Sequence, residues 1–527
     1  MLLPIVALGV WAAFFTAATT RYALAESPDS AVYLGTANNL VGGHGPTVPF
    51  THVWDRYSIS AALRFDRQVP SAHFPPAYPV ALAALSGPAG GTEGAARVLN
   101  IFLAGLNVFL VGALTARMTA YRSVVVALIP PALLLFYPDS RPSVLEGYGW
   151  LLAYRTVASE PLFYAFFAGS LIATALAITS AESRRSLTLS LAAVLAGGAL
   201  LTRYVGIAAI ATASIALVCL DRSRPIAARL RRATIFAALA SAPTLLFLGW
   251  SDVRGGGGAR VIAYHPVAGT RSGIVDWFGR FLFPPSWPSG LRTAALVAIV
   301  VVVVVNAWSR SARIVAMWPE DATATALMKV CLVALIGFVI VVVVTRYTLD
   351  RNVAVDPRIL SPAREIFLAL VVAVLYRALC PYARPIGAAL TLGLACTLLI
   401  HSGWPLQRVW IDSGPVVAPI QTPVERALSA TPSNALLVSN APDQAYLATR
   451  HAALVMPSTV DYLTGHPNHG FQHDLQELAD TLRRHGGYVF WKQTFDPVAT
   501  PEQLATHVRL LLIVGEPSEA LYQVLPG

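Results

Sequence analysis

The sequence predicts a polytopic α-helical membrane protein with about eleven transmembrane helices and a small C-terminal α/β domain. Its 527 residues are 55% hydrophobic and only 13% charged, with a mean hydropathy of +0.59. Soluble domains carry roughly 25% charged residues, so about half of the usual charge is missing. Two uncharged runs, 294–308 and 331–345, are typical of bilayer-spanning helices, which need about 20 predominantly apolar residues. These observations exclude a soluble globular protein.

Eleven apolar segments are candidate transmembrane helices. They lie near 4–24, 98–116, 122–137, 160–181, 186–202, 204–220, 233–250, 292–308, 325–345, 362–379 and 385–402. The first segment has no basic stretch before it and no small-residue cleavage site after it. It therefore indicates a membrane anchor rather than a cleaved signal peptide.

The arginines predict the orientation of these helices. Thirteen arginines fall in five short loops that share one face if the eleven helices alternate in direction: Arg117, Arg122, Arg184, Arg185, Arg222, Arg224, Arg229, Arg231, Arg232, Arg310, Arg313, Arg377 and Arg384. The positive-inside rule makes that face cytoplasmic. We therefore expect a cytoplasmic N-terminus and outer segments at 25–97, 138–159, 251–291, 346–361 and 403–527.

The net charge of +10 does not indicate a nucleic-acid partner. Of 38 basic residues only Lys329 and Lys492 are lysines, and no basic run is interleaved with aromatic residues. An arginine-rich, lysine-poor composition also fits a GC-rich genome. The arginines in short loops indicate membrane topology instead.

The last 125 residues differ in character from the rest of the chain. Short apolar runs at 435–439, 452–456, 488–491 and 510–514 predict buried strands, and 443–449, 473–484 and 501–507 predict helices between them. Alternating strands and helices favour an α/β domain with a largely parallel sheet. We therefore divide the chain into a membrane domain, 1–402, with its large first outer loop 25–97, and an extracytoplasmic domain, 403–527.

The first outer loop begins with a candidate catalytic carboxylate. Pro28 ends the first apolar segment near the membrane surface, and a helical pattern runs from Asp29 to Leu40. A carboxylate at this position can accept the proton of a substrate hydroxyl if its surroundings tune its pKa. The structural alternative is that Asp29 is the N-cap of a helix beginning at Ser30. The two roles are compatible.

A family resemblance supports the catalytic interpretation. The stretch 28–45, PDSAVYLGTANNLVGGHG, resembles the first-loop signature of bacterial GT-C glycosyltransferases that use polyprenyl-phosphate-linked sugars. That superfamily includes protein O-mannosyltransferases and lipid A aminoarabinose transferases. Similar segments follow in the same order at 73–79 (HFPPAYP), 96–100 (ARVLN), 159–163 (SEPLF), 201–206 (LTRYVG), 356–362 (DPRILSP) and 439–443 (SNAPD).

The resemblance implies an inverting sugar transfer on the outer face of the bacterial cytoplasmic membrane. The donor is a sugar linked to polyprenyl phosphate, the acceptor is an envelope lipid, glycan or protein, and Asp29 is the general base. Many relatives carry two adjacent acids here, whereas Ser30 follows Asp29, and Glu26 lies three residues earlier. This departure weakens the case for a metal-binding acid pair. A divalent ion, Mg²⁺ or Mn²⁺, is the one candidate cofactor, without assigned ligands.

Further charged residues are candidates for the same site. We expect Glu160, at the start of the fourth segment, to face Asp29 across the cavity; stabilisation of the helix N-terminus is the alternative. Arg203, Arg358 and Arg364 are candidates for binding the lipid phosphate, because guanidinium groups bind phosphate oxygens in a bidentate manner. Extension towards lipid headgroups is the alternative for Arg358 and Arg364.

Three ring side chains complete the predicted substrate-binding residues. Tyr33 lies on the helix that begins at Asp29, and His73 and Tyr78 belong to a stiff segment rich in aromatic residues and proline. We expect this segment to line the cavity. For His73 a structural hydrogen bond is the alternative to a contact with substrate.

The number of helices alone also fits a transporter or flippase for lipid-linked substrates. A transporter usually places polar residues at mid-membrane in broken helices related by an internal repeat. Here the acids and arginines of the motifs lie in the outer segments, and no repeat is found. The sequence therefore favours the enzyme.

Overall fold

The computed structural model describes residues 2–52, 62–63, 68–136, 152–255, 288–308, 321–348, 357–379, 393, 421–461, 465–493 and 497–525. The helices before residue 380 are α1 (Leu2–Thr19), α2 (Pro28–Val41), α3 (Ala77–Ala89), α4 (Thr92–Met118), α5 (Val124–Phe136), α6 (Leu152–Arg155), α7 (Glu160–Thr179), α8 (Glu182–Thr202), α9 (Ile207–Cys219), α10 (Ile226–Val253), α11 (Ser289–Trp308), α12 (Ala322–Thr348) and α13 (Pro357–Leu379).

Seven of these helices are long and apolar enough to cross a membrane by length and composition: α1, α4, α7, α8, α10, α12 and α13. Three shorter apolar helices lie at α5, α9 and α11. Ten of the eleven predicted segments thus coincide with helices, and the segment 385–402, apart from residue 393, lies outside the described residues. The polytopic helical architecture is confirmed, whereas the number eleven stays a prediction.

Two glycines bring α1 and α4 into backbone contact. A Cβ built on Gly9 would lie 2.8 Å from the carbonyl oxygen of Gly105, and a Cβ on Gly105 would lie 3.0 Å from that of Gly9. A side chain at either position would force the two helices apart. Small residues at such crossings allow membrane helices to pack closely.

Arginines of the predicted cytoplasmic loops converge at one end of the bundle. The carboxylate of Asp221 is buried and lies 3.4 Å from Arg232 and 3.9 Å from both Arg185 and Arg224. Glu182 also pairs with Arg185 and Arg224. The loops that follow α7 and α9 are therefore held together by charge.

Two further contacts place neighbouring loops at the same end. Arg117, at the end of α4, pairs with Asp321 at 3.2 Å, immediately before α12. The hydroxyls of Thr179 and Thr323 are 2.9 Å apart and join the end of α7 to the start of α12. This common face agrees with the predicted alternation, and its assignment as cytoplasmic stays a prediction.

The C-terminal part folds around a five-stranded sheet. Its strands are β3 (Leu437–Ser439), β4 (Leu454–Val455), β5 (Gly487–Lys492), β6 (Arg509–Glu516) and β7 (Glu519–Leu525); a separate antiparallel pair, β1 (Thr47–Val48) and β2 (Val69–Pro70), lies in the first outer loop. The helices are α14 (Pro423–Ser429), α15 (Pro442–Thr449), α16 (Phe471–His485) and α17 (Pro501–Ala505).

The predicted largely parallel sheet is wrong for half of its pairings. The strand order is β4-β3-β5-β7-β6, and β3 runs parallel to β4 and β5. However, β7 runs antiparallel to both β5 and β6. Only Pro517 and Ser518 separate β6 from β7, and so short a turn can join only antiparallel strands. The sequence analysis missed β7 and therefore this hairpin.

We predict that Gly9→Ala lowers the melting temperature of the purified protein, because the new methyl group overlaps the backbone of α4. Overpacking of this kind costs about 1–3 kcal/mol. Gly249→Ala in α10 is the matched control, since no atom lies within 4 Å of its new Cβ. The control is expected to keep or raise the melting temperature, and equal melting of both variants would contradict the close crossing.

We also predict that a tag at the C-terminus is cleaved by protease added to intact spheroplasts. The expectation follows from the arginine-rich loops, which place 403–527 outside. A tag that is cleaved only after lysis would reverse the assignment of the two faces.

Candidate active site

The first outer loop is joined to the segment before α7 by a backbone bridge. The N–H of Ala25 donates to the carbonyl of Arg155 at 2.7 Å, and the N–H of Val157 donates to the carbonyl of Ala25 at 3.1 Å. The hydroxyl of Ser30 also donates to the carbonyl of Val157 at 2.9 Å. These three bonds bring Asp29, which precedes Ser30, to the start of α7.

Asp29 lies in the first turn of α2 but is not its N-cap. The helix begins at Pro28, and its N-cap is Ser27, whose backbone N–H donates to the hydroxyl of Ser30 at 2.9 Å. The structural alternative for Asp29, the capping of a helix beginning at Ser30, is therefore wrong. Asp29 itself is half-buried, and Ser27 and Ser30 form the cap at the start of its helix.

Glu160 and Arg203 form an ion pair where α7 begins and α8 ends. Arg203 Nη1 lies 2.7 Å from Glu160 Oε1, and the Glu160 side chain is only 4% exposed. The same Nη1 donates to the hydroxyl of Ser159 at 3.3 Å. The pair lies at the end of the α7–α8 hairpin opposite to the arginine cluster around Asp221.

Tyr33 connects Asp29 to this ion pair. Its hydroxyl is 2.8 Å from that of Ser159, and the charges of Asp29, Arg203 and Glu160 all act on it. Burial, with the negative charge of Asp29 as the next cause, raises the pKa of Tyr33 well above its usual value. The phenol therefore stays protonated and acts as a neutral hydrogen-bonding group.

Tyr33 and Tyr78 are buried side chains that pack against each other. They are 1% and 0% exposed, and their rings meet edge to face with centroids 5.1 Å apart. Neither ring presents surface to a ligand in this structure, and the predicted substrate contact of both tyrosines stays a prediction. The contact of the two rings packs α2 against α3. The ring of Phe74 joins the cluster, with its centroid 5.2 Å from that of Tyr33.

His73 remains accessible and is held near Arg203. Its ring is half-buried and packs edge to face on Phe74 at 4.7 Å. The hydroxyl of Tyr204, which follows Arg203, donates to the carbonyl of Ala72 at 2.6 Å. This bond ties the segment rich in aromatic residues and proline to the end of α8, and the lining of a substrate cavity by this segment stays a prediction.

Arg358 and Arg364 both belong to α13. Arg358 lies in its first turn, and its side chain is outside the described part of the chain. Arg364 is 5% exposed and Glu365 is 2% exposed. Both charges interact electrostatically with the hydroxyl of Tyr154. Arg364 is therefore buried among protein groups rather than extended towards lipid headgroups.

Sequence reasoning missed the asparagines that fix the strands and helices around the site. Asn100 Nδ2 donates to the carbonyl of Thr156 at 2.8 Å, and Asn107 Nδ2 donates to that of Pro161, also at 2.8 Å. Both asparagines lie on α4 and are fully buried. Asn100 was part of a matched motif, but its partner is a backbone atom 56 residues away, which no local pattern reveals.

The donor set fits a divalent ion, Mg²⁺ or Mn²⁺, poorly. Such ions prefer several carboxylate oxygens. Here Ser30 follows Asp29, and Glu160 is already neutralised by Arg203. Within the described ranges, no three His, Cys, Asp or Glu side chains are grouped to hold a metal ion. We therefore assign no step to a metal.

Known structures share this architecture, although comparisons with protein-family models and with curated protein sequences give no match. Two structures of the oligosaccharyltransferase AglB of Archaeoglobus fulgidus superimpose with a TM-score of 0.50, at 13% and 12% identity. Each alignment covers 93% of this chain and 69% of the other. The chain has the GT-C fold. One AglB structure is tethered to an acceptor peptide, and the other holds an inhibitory peptide and a dolichol-phosphate.

The apo structure of ArnT from Cupriavidus metallidurans aligns over a similar extent. The TM-score is 0.49 at 13% identity, with 99% of this chain and 97% of that chain covered. At these identities the AglB comparisons establish the fold alone. This chain is thus a multi-pass membrane protein with that fold, in agreement with its apolar helices.

We predict that Arg203→Gln destabilises the GT-C chain more than the double change Glu160→Gln with Arg203→Gln. The single variant leaves a buried carboxylate without its cation, which costs about 3–5 kcal/mol for a fully buried pair and less for this partly exposed arginine. A double-mutant cycle read by thermal unfolding measures the coupling. Strict additivity of the two changes would show that the pair contributes nothing.

Proposed function

We propose that this protein is an inverting glycosyltransferase that moves a sugar from a polyprenyl-phosphate-linked donor to a hydroxyl of a cell-envelope acceptor. The observation that carries the proposal is the position of Asp29. Its half-buried carboxylate and the Glu160–Arg203 pair both act electrostatically on Tyr33, at the end of the α7–α8 hairpin opposite to the arginine cluster. The GT-C fold adds support, because the AglB structures with this fold belong to an oligosaccharyltransferase.

The proposed step needs only one base from the protein. The acceptor oxygen attacks the anomeric carbon on the face opposite to the phosphate, while Asp29 takes the hydroxyl proton. The bond between the anomeric carbon and the phosphate oxygen breaks, and polyprenyl phosphate leaves with the bonding electrons. Configuration at the anomeric carbon is inverted, and the proton gained by Asp29 returns to solvent. A positioned base typically contributes about 10²–10⁴-fold to such a rate.

Asp29 and Glu160 have different partners, and we assign them different roles. Glu160 is buried and neutralised by Arg203, so it is poorly placed to accept a proton. We assign it to the positioning of Ser159 and, through Ser159, of Tyr33. Asp29 is the more accessible acid and is left as the base.

The three candidate arginines also differ in their partners. A leaving phosphate needs cationic donors that are not already neutralised. Arg203 is balanced by Glu160, and Arg364 is buried beside Glu365. Arg358 therefore stays our candidate for the contact with the lipid phosphate. A polyprenyl-phosphate donor is further supported by the dolichol-phosphate held in one AglB structure.

We predict that Asp29→Asn lowers sugar transfer by at least about 100-fold while expression and membrane insertion are unchanged, since the amide cannot accept the proton. The assay follows labelled sugar from membrane lipids into envelope glycolipids and glycans, compared with a deletion strain. The control is Asp252→Asn, an exposed aspartate near the end of α10. Wild-type turnover by Asp29→Asn would remove Asp29 from the reaction.

A further inference from the structure

The helix that carries Asp29 is packed between two hydrophobic cores. Tyr33 and Ala37 of α2 belong to the core of the membrane part. Ala31 and Val32 of the same helix belong to a second core, which the first outer loop shares with the C-terminal domain. No residue of this second core belongs to a membrane-spanning helix of the described structure. The C-terminal domain thus provides one of the two surfaces against which α2 packs.

Tyr446 of α15 is the centre of that contact. It is 3% exposed, and its Cε1 lies 3.4 Å from where a Cβ on Gly35 would be. Its ring packs against Phe50 with centroids 5.4 Å apart. Its hydroxyl accepts a hydrogen bond from Asn38 Nδ2 at 3.0 Å, and Asn38 Oδ1 accepts one from the hydroxyl of Thr92 at 2.9 Å. One tyrosine therefore links the C-terminal domain, α2 and the start of α4.

Arg450 adds a second connection next to the first. It follows α15 in the left-handed backbone conformation, with a φ of 61°. Its guanidinium pairs with Glu93 at the start of α4 and with Glu26 at 3.7 Å, three residues before Asp29. It also lies over the ring of Tyr446, 5.6 Å from the centroid. The N-terminal approach to α2 is thereby attached to the same element as its middle.

We propose that the C-terminal domain positions the catalytic base, and that Tyr446 is the positioning residue through which it acts. The inference rests on the proposed base role of Asp29. The domain holds α2 from the side opposite to the membrane core, so that the Asp29 carboxylate keeps a fixed distance from the reacting hydroxyl. A misplacement of about 1 Å at a reacting group can cost about 100-fold in rate.

The exposed fraction of the side chains indicates which of the two connections contributes more to holding α2. Arg450 and Glu93 have side chains that are 36% and 63% exposed, so solvent and salt screen their pairing. The Tyr446 ring is buried, and its contacts with Gly35 and Phe50 disappear completely when it is removed. We therefore expect Tyr446 to matter more than Arg450.

The test compares three variants of the full-length protein in detergent or nanodiscs. Tyr446→Ala removes the ring, Tyr446→Phe removes only the hydroxyl, and Tyr522→Ala is the control. Tyr522 lies on β7 and packs against the other core of the domain, which contains no residue of α2. Hydrogen exchange of residues 28–41, measured by mass spectrometry, reports the fixation of α2 without any substrate.

For Tyr446→Ala we expect about tenfold faster exchange over 28–41 and a kcat lowered about 10- to 100-fold, with the KM for the donor within twofold of wild type. Tyr446→Phe is expected to restore most of kcat, and Tyr522→Ala to leave both readouts unchanged. If Tyr446→Ala does not fold, Tyr446→Phe still has to raise exchange over 28–41, because it loses the bond to Asn38.

Two results would overturn the proposal: unchanged exchange over 28–41 in both Tyr446 variants, or a normal kcat in Tyr446→Ala while Asp29→Asn is inactive. An active Asp29→Asn variant would instead refute the proposed base, whatever the exchange shows. An equal loss of kcat in Tyr522→Ala would point to general destabilisation of the domain and would also contradict the assignment.

Discussion

The ion pair between Glu160 and Arg203 is the interaction on which the arrangement of the site depends. A carboxylate that is only 4% exposed requires a cation, because an unpaired buried charge is strongly unfavourable. Satisfying that requirement fixes the start of α7 against the end of α8, and the same guanidinium orients Ser159. Ser159 then holds the hydroxyl of Tyr33, and Tyr33 lies one turn beyond Asp29 on α2. The need to neutralise the buried Glu160 carboxylate therefore helps to determine where Asp29, the proposed base, lies.

The two ends of the helix bundle use the same residue types for different purposes. At one end several arginines surround Asp221 and Glu182, and their role is to connect loops. At the other end Arg203 neutralises Glu160, and Asp29 stays half-buried. Part of the net charge of +10 is therefore concentrated where no chemistry is proposed.

Much of the fold was predictable because bilayer-spanning helices leave a local signal in the sequence. Apolar runs gave ten helices near their observed bounds, and a proline next to an acid marked the start of α2. The buried state of Tyr33 and Tyr78 was not predictable in this way, since it depends on distant residues, whereas β7 was missed although the short turn before it is a local signal. The partners of Asn100 and Asn107 are backbone carbonyls from another segment. Local patterns thus identified the charged residues, whereas the groups that orient them appeared only in the folded chain.

The glycine crossing of α1 and α4 limits how the protein can move. With their backbones in contact at Gly9 and Gly105, α1 and α4 are closely packed, and we expect them to move together. The end of α1 leads into the start of α2. Thr92 of α4 donates a hydrogen bond to Asn38, near the other end of α2. A rocking motion of α2 alone would break one of these attachments. We therefore expect any opening that admits the proposed lipid-linked donor to arise in elements other than α1, α2 and α4, while Asp29 stays in place.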